Sequence, residues 1–150
     1  MFETVLVENA IAGPGKDYYF AYGHNTNKEQ FYKRIPKAQL IGKANLNHYK
    51  FSLEQYSDIK PNGSSHVEGV LWKIPKDSEP QLNKYEQFYE RIPVIVSCSG
   101  KKYKAYAYKI KGEHYGKNPS QDYIDYVRKG YKENDLPESQ LDKAVKEKLG

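Results

Sequence analysis

Cysteine is nearly missing from this chain of 150 residues: the single copy, Cys98, rules out an internal disulfide and any thiolate metal cluster. It closes the strand-like run Val94-Ile95-Val96-Ser97-Cys98, where a small buried hydrophobe is its expected role. Long apolar runs are missing too. Nothing approaches the roughly 20 residues a membrane-spanning helix needs, and Met1-Phe2-Glu3-Thr4-Val5 lacks the basic segment and hydrophobic stretch of a secretory leader. The expected location is the cytoplasm, with no membrane partner. The histidines at 24, 48, 66 and 114 never fall at a metal-ligand spacing, so no metal site is expected. There is no Gly-Lys-Ser/Thr phosphate loop, no Gly-x-Ser-x-Gly elbow and no Gly-x-Gly-x-x-Gly turn. The common nucleotide and hydrolase motifs are thereby excluded.

What the chain has in quantity is tyrosine, 15 of them, within an aromatic content of 14% and a hydrophobic content of 38%. Rings supply large buried area, and this length supports one self-sufficient domain. Twenty-four basic residues against 19 acidic ones give a net charge of +5, a mild bias towards anionic partners.

Residues 1–17 carry Val5-Leu6-Val7, Ala10-Ile11-Ala12 and the breaker Gly13-Pro14-Gly15, the pattern of an arm or extra strand joined by a turn. Tyr18-Tyr19-Phe20-Ala21-Tyr22 has the composition of a buried strand, and Asn27 with Gln30 has capping-box spacing for a helix that Ile35-Pro36 stops after Arg34. A strand over 46–53, a loop at Pro61-Asn62-Gly63-Ser64-Ser65 and a strand over 67–74 follow, then a helix over 78–88 with Pro80 in its first turn. Residues 93–98 and 102–110 read as a hairpin about Ser99-Gly100-Lys101. Asn118, Pro119 and Gln121 suit the cap, first turn and N3 position of a helix carrying Tyr123, Tyr126, Val127, Gly130 and Tyr131; a last helix begins at Pro137 with Leu141, Val145 and Leu149 on one stripe. Strands and helices without regular alternation point to an α+β fold.

One segment has the makings of an anion cradle. After the aromatic strand, Gly23 allows close backbone approach, and successive amides leading towards a helix can point at a negative group.

Tyr19-Phe20-Ala21-Tyr22-Gly23-His24-Asn25-Thr26 resembles the opening signature of the gamma-glutamylcyclotransferase-like family, usually Tyr-Phe-Ala-Tyr-Gly-Ser-Asn-Met. The likeness continues in order through residues 38–46, through the strand Val67-Glu68-Gly69-Val70-Leu71-Trp72 and through Leu82-Asn83-Lys84-Tyr85-Glu86, which resembles a Leu-Asp-x-Tyr-Glu segment. Tyr89-Glu90-Arg91-Ile92-Pro93-Val94 and the region from Pro119 to Pro137 complete it, leaving only residues 1–17 outside. The chain departs from the pattern at His24, where serine is usual, and at Gln87, where glycine is usual.

The resemblance implies a small mixed β-barrel-like sheet flanked by helices. It also implies cyclisation of a gamma-glutamyl compound to 5-oxoproline without a cofactor. In that scheme Glu86 is the catalytic acid/base, Tyr22, Gly23, His24, Asn25 and Thr26 hold the substrate, and Tyr89 and Tyr123 are further pocket residues. The loop and Glu86 must then share one pocket. A second reading is a binding module that traps a small anionic metabolite in the same pocket without turnover, with His24 charged near neutral pH as its motive. The basic, tyrosine-rich run over 101–111 admits single-stranded nucleic acid as a partner, but strand alternation buries one of its tyrosine-bearing faces, and sheet packing is the preferred account.

Overall fold

The structure is a computed structural model of the chain, and it describes residues 12–82, 88–112 and 116–150. Five strands close a barrel: β1 (Lys16–Ala21), β2 (Gln39–Leu53), β3 (Ser57–Pro75), β4 (Tyr89–Cys98) and β5 (Lys101–Ile110), in the order β1-β3-β2-β4-β5. All neighbours are antiparallel except β1 and β5, whose parallel contact at Tyr19 and Tyr106 completes the circle. Closure leaves no open sheet edge, so the mixed barrel needs no covering device there. Helices α1 (Lys28–Arg34), α2 (Gln121–Glu133) and α3 (Glu138–Leu149) pack outside it. No helix among the described residues is long and apolar enough to cross a membrane.

The core mixes aromatic and aliphatic side chains in one cluster. Phe20, Val70, Leu71, Trp72 and Ile74 are fully buried where β1 pairs with β3, and Trp72 stacks within 4.3 Å of Phe31 from α1. Helix α1 starts where the spacing says it should, with Asn27 Oδ1 accepting the Gln30 amide at 3.3 Å. Cys98 is buried on β4.

Five readings of the sequence need correction. Residues 61–65 do not end a strand: β3 runs through them, and the true reversal is at residues 54–56, where the Glu54 amide donates to the Tyr56 carbonyl at 2.9 Å. Pairing jumps from Asn47↔His66 to Tyr49↔Pro61, so the turn formers occupy a wide bulge opposite His48, whose φ is 69°. A bulge gives proline and glycine the unpaired backbone they need without breaking the hairpin. The helix expected over 78–88 is a 3-10 helix at Lys76–Gln81 with Pro80 inside it, and residues 83–87 lie outside the described residues. Proline removes the amide that α-helical bonding would need. The β4–β5 turn is Ser99-Gly100 alone, both with positive φ, as a tight hairpin requires. The cap of α2 is Ser120, whose Oγ accepts the Tyr123 amide at 3.1 Å, two residues beyond Asn118. On α3, Leu141 is fully buried as expected, whereas Leu149 is half-exposed and Ala144 takes the third core position. Of the N-terminal arm, residues 1–11 lie outside the described residues, and Gly13 closes a turn on Lys16 ahead of β1.

Candidate functional site

The segment 22–26 leaves the end of β1 and makes a short 3-10 turn, His24–Thr26. Every carbonyl in it is accepted within the protein. Tyr131 Oη donates to Tyr22 O at 2.8 Å, and the Thr26 amide and hydroxyl donate to Gly23 O at 3.1 and 2.7 Å. The Asn27 amide donates to His24 O at 3.1 Å, Trp72 Nε1 to Asn25 O at 3.1 Å, and Asn134 Nδ2 to Thr26 O at 2.7 Å. The amides behave differently: among the described residues neither the Gly23 nor the Asn25 N–H donates to a protein acceptor. The loop is thus anchored by its acceptors and keeps donors in hand, the polarity an anion site needs.

Gly23 is required by contact. A Cβ there would lie 2.6 Å from Ser57 Oγ and 2.7 Å from Ser57 Cβ, inside the radius of any tolerable contact. The Asn25 side chain is held rigid, donating from Nδ2 to Tyr19 Oη at 2.9 Å and accepting from Arg34, which also donates to Tyr126 Oη at 3.2 Å.

These residues line a small inner cavity of about 30 Å³, bounded by Tyr19, Tyr22, Gly23, His24, Asn25 and Ser57, and by Leu82, Tyr89 and Tyr108. Its volume suits one or two water-sized groups, such as the oxygens of a carboxylate. Beside it lies an aromatic cavity of about 360 Å³, into which His24 and Tyr89 also reach, together with Tyr56, Phe88, Tyr123 and Tyr126.

Ser57 is the residue that the sequence did not single out. It sits at the first position of β3, and its backbone and side chain are gripped by two tyrosines. Its amide donates to Tyr123 Oη at 2.9 Å, its Oγ accepts from Tyr123 Oη at 2.9 Å, and its carbonyl accepts from Tyr89 Oη at 2.7 Å. Burial pushes the Tyr123 hydroxyl up to about 12 and also raises Tyr19, Tyr22 and Tyr89 well above the usual phenol range, so all four stay neutral donors near pH 7. Asp58, next to Ser57, is buried and raised by that burial; it accepts the Ile110 amide at 2.9 Å and ties the start of β3 to the end of β5.

Of the residues expected to build the site, Tyr22, Gly23, His24, Asn25 and Tyr89 line the inner cavity and Tyr123 lines its neighbour. Thr26 stands apart: it is fully buried, and both its donors are committed to Gly23 O, so its part is to set the turn. Glu86 lies outside the described residues. Of the described residues on either side of that segment, Leu82 lines the inner cavity and Phe88 the outer one. Arg91 fixes the approach to Leu82. It donates to Glu79 at 2.6 Å, pairs with Asp17 at 3.4 Å and stacks 3.6 Å from the centre of the Tyr106 ring.

His24 departs from expectation in its charge. Its Nε2 is enclosed, and burial, aided by the nearby Arg34 charge, lowers its pKa from 6.5 to about 4. The imidazole is therefore neutral at physiological pH, and no cationic trap exists at this position. Stability follows from the sign of that shift. Between about pH 6.5 and pH 4 the unfolded chain takes up a proton that the folded chain refuses, so stability falls as pH falls through this window. Urea unfolding of wild type and His24→Ser at pH 7 and pH 4.5 should show the wild type losing about 2 kcal/mol more than the variant. Equal losses would place the ring in water.

The described residues form a small closed barrel with two adjoining cavities beside the strand-to-turn loop. The family model described as "Gamma-glutamyl cyclotransferase, AIG2-like" matches residues 19–128, and the chain belongs to that family. Among solved structures it is similar to an uncharacterized protein from Homo sapiens, at 28% identity and a TM-score of 0.74, over 87% of this chain and 86% of that one. It is also similar to one described as a gamma-glutamyl cyclotransferase, at 26% identity and a TM-score of 0.74, over 86% of each chain. YkqA from Bacillus subtilis shares the fold at 23% identity and a TM-score of 0.76, over 90% of this chain and 55% of its own. No curated protein matches the sequence.

Proposed function

We propose that the protein is a gamma-glutamyl cyclotransferase that converts a gamma-glutamyl compound to 5-oxoproline and a free amine or amino acid. The observation that carries this reading is the loop of residues 22–26 at the wall of a cavity, whose carbonyls all accept hydrogen bonds while the Gly23 and Asn25 amides donate to no acceptor among the described residues. Membership of the family supports it.

In this reading the substrate's α-amine attacks its own γ-carbonyl. A C–N bond closes the five-membered ring, the carbonyl oxygen becomes an oxyanion, and collapse breaks the bond to the leaving nitrogen. The attack is intramolecular, so holding the glutamyl chain folded supplies an effective molarity on the order of 10⁵ M or more. Neutral donors suit the oxyanion: the amides at Gly23 and Asn25 are preorganised by the bonds their neighbours make, and losing one such donor typically costs about 3 kcal/mol of barrier. Glu86 accepts the proton that the attacking amine sheds and returns it to the departing nitrogen, as one carboxylate serving two steps. The Ser57 hydroxyl, held by Tyr123, offers a further hydrogen bond at the cavity wall.

The test is a panel of gamma-glutamyl compounds, dipeptides and amines, with 5-oxoproline and free amine both measured. Equal amounts of the two products from at least one compound are expected. No product from any member, with one of them still binding tightly in calorimetry, would replace the enzyme by a binding module.

A further inference from the structure

The two cavities differ in chemistry as well as size. The inner one is bounded by the loop, by Ser57 and tyrosines, and by Leu82; the outer one, at about 360 Å³, is lined mostly by rings, with Arg34 and Asp122 as its charged members. Phe88 and Tyr56 lie 6.0 Å apart, Tyr56 meets Tyr123 edge-on at 5.4 Å, and Tyr123 lies 6.2 Å from His24. Tyr126 adds a further ring to this wall. Phe88 is 38% exposed, although a ring of that size favours burial.

A gamma-glutamyl substrate has two unlike halves. Its glutamyl half carries an α-amine and an α-carboxylate, which need polar partners and gain nothing from ring faces. Its leaving half varies from a bare small amine to a bulky amino acid. The cavities meet at His24 and Tyr89, so a substrate with its reacting carbonyl beside the loop extends its leaving half along the aromatic wall. A cavity of roughly 150 Å³ already admits benzene, and the outer cavity has room for a benzyl group and its amide linkage.

Resting on the cyclotransferase reading, we infer that the outer cavity is a leaving-group subsite that selects gamma-glutamyl compounds of aromatic amino acids over those of glycine. Tyr56 and Phe88 are its specificity residues. One is half-buried and the other exposed, and both line the cavity. A small leaving group would leave the ring faces wet and forfeit the burial that an aromatic one gains.

The experiment compares gamma-glutamyl-phenylalanine with gamma-glutamyl-glycine in wild type, Tyr56→Ala and Phe88→Ala. The wild type should favour the phenylalanine compound by about 30-fold or more in kcat/KM, within the range that pocket-filling apolar groups command. Each variant should reduce that ratio several-fold, chiefly by losing activity on the phenylalanine compound. A wild-type ratio near one, or a ratio that both variants leave intact, overturns the subsite while the cyclotransferase reading stands. If neither compound is turned over, the wider panel decides that reading, and calorimetry with the same two compounds decides the cavity. Binding of the phenylalanine compound at least about 10-fold tighter supports it, and equal affinities overturn it.

Discussion

Glu86→Gln should reduce 5-oxoproline release by about 10³ to 10⁴-fold while leaving ligand affinity and folding nearly unchanged. The amide keeps the size of the carboxyl group but cannot take a proton from an amine at neutral pH. A general acid or base alone commonly contributes 10² to 10⁴ in rate, and here one group serves both transfers. In the proposed reading binding rests on other groups, the amides at Gly23 and Asn25 and the Ser57 hydroxyl, whose residues line the inner cavity and which the substitution leaves in place. Single-turnover kinetics with saturating substrate separates the two effects, since the loss should fall on kcat. A variant within a few-fold of wild type would move the proton transfers to another group.

The second large effect should come from a methyl group. In an open helix, Gly→Ala stabilises by about 1 kcal/mol, because glycine has the greater backbone freedom to lose. At Gly130, inside α2, the sign should reverse. A Cβ would collide with Thr26 Oγ1 and lie 2.7 Å from the Asn27 amide nitrogen and 2.8 Å from the Thr26 carbonyl carbon. Two of the three are backbone atoms, and the turn they belong to is fixed from both sides, by Asn134 on Thr26 and by Tyr131 on Tyr22. Relief therefore requires α2 or the turn to move, and overpacking of this kind costs about 3 kcal/mol. In a chain of this size that lowers the melting temperature by roughly 6–12 °C. Gly130→Ala should also lose activity beyond its loss of stability, because the displaced turn carries the cavity loop. A stability change within about 1 kcal/mol of wild type would show that α2 does not press on the turn.

Local chemistry was readable in the sequence wherever a residue acts on its near neighbours. Asn27 and Gln30 specify the start of α1 because a side-chain cap reaches only three residues, and Gly23 marks the loop because it ends a run of buried aromatics. Where partners are distant the sequence is silent. Ser57 matters through Gly23, Tyr89 and Tyr123, none of them near it along the chain, and no local pattern distinguishes it from an ordinary serine. The neutral state of His24 has the same origin: residue type gives an ordinary pKa, and only the packing of the turn lowers it. Residues 61–65 show the converse, strong turn chemistry used for a bulge because the long β2–β3 hairpin continues past it. The family resemblance covered that gap for Tyr89 and Tyr123, whose place at the site no spacing rule supplied.

The parallel contact of β1 with β5 at Tyr19 and Tyr106 has a kinetic side. The two strands lie far apart in the chain, and their contact closes a circle whose other links run through β3, β2 and β4. Such long-range closure is entropically costly and places the chain among slow folders. Tyr19 and Tyr108, from those two strands, both line the inner cavity, so that cavity is complete only when the barrel is closed. A partly assembled chain is blind to substrate, and a bound substrate therefore acts as a latch on the finished barrel alone.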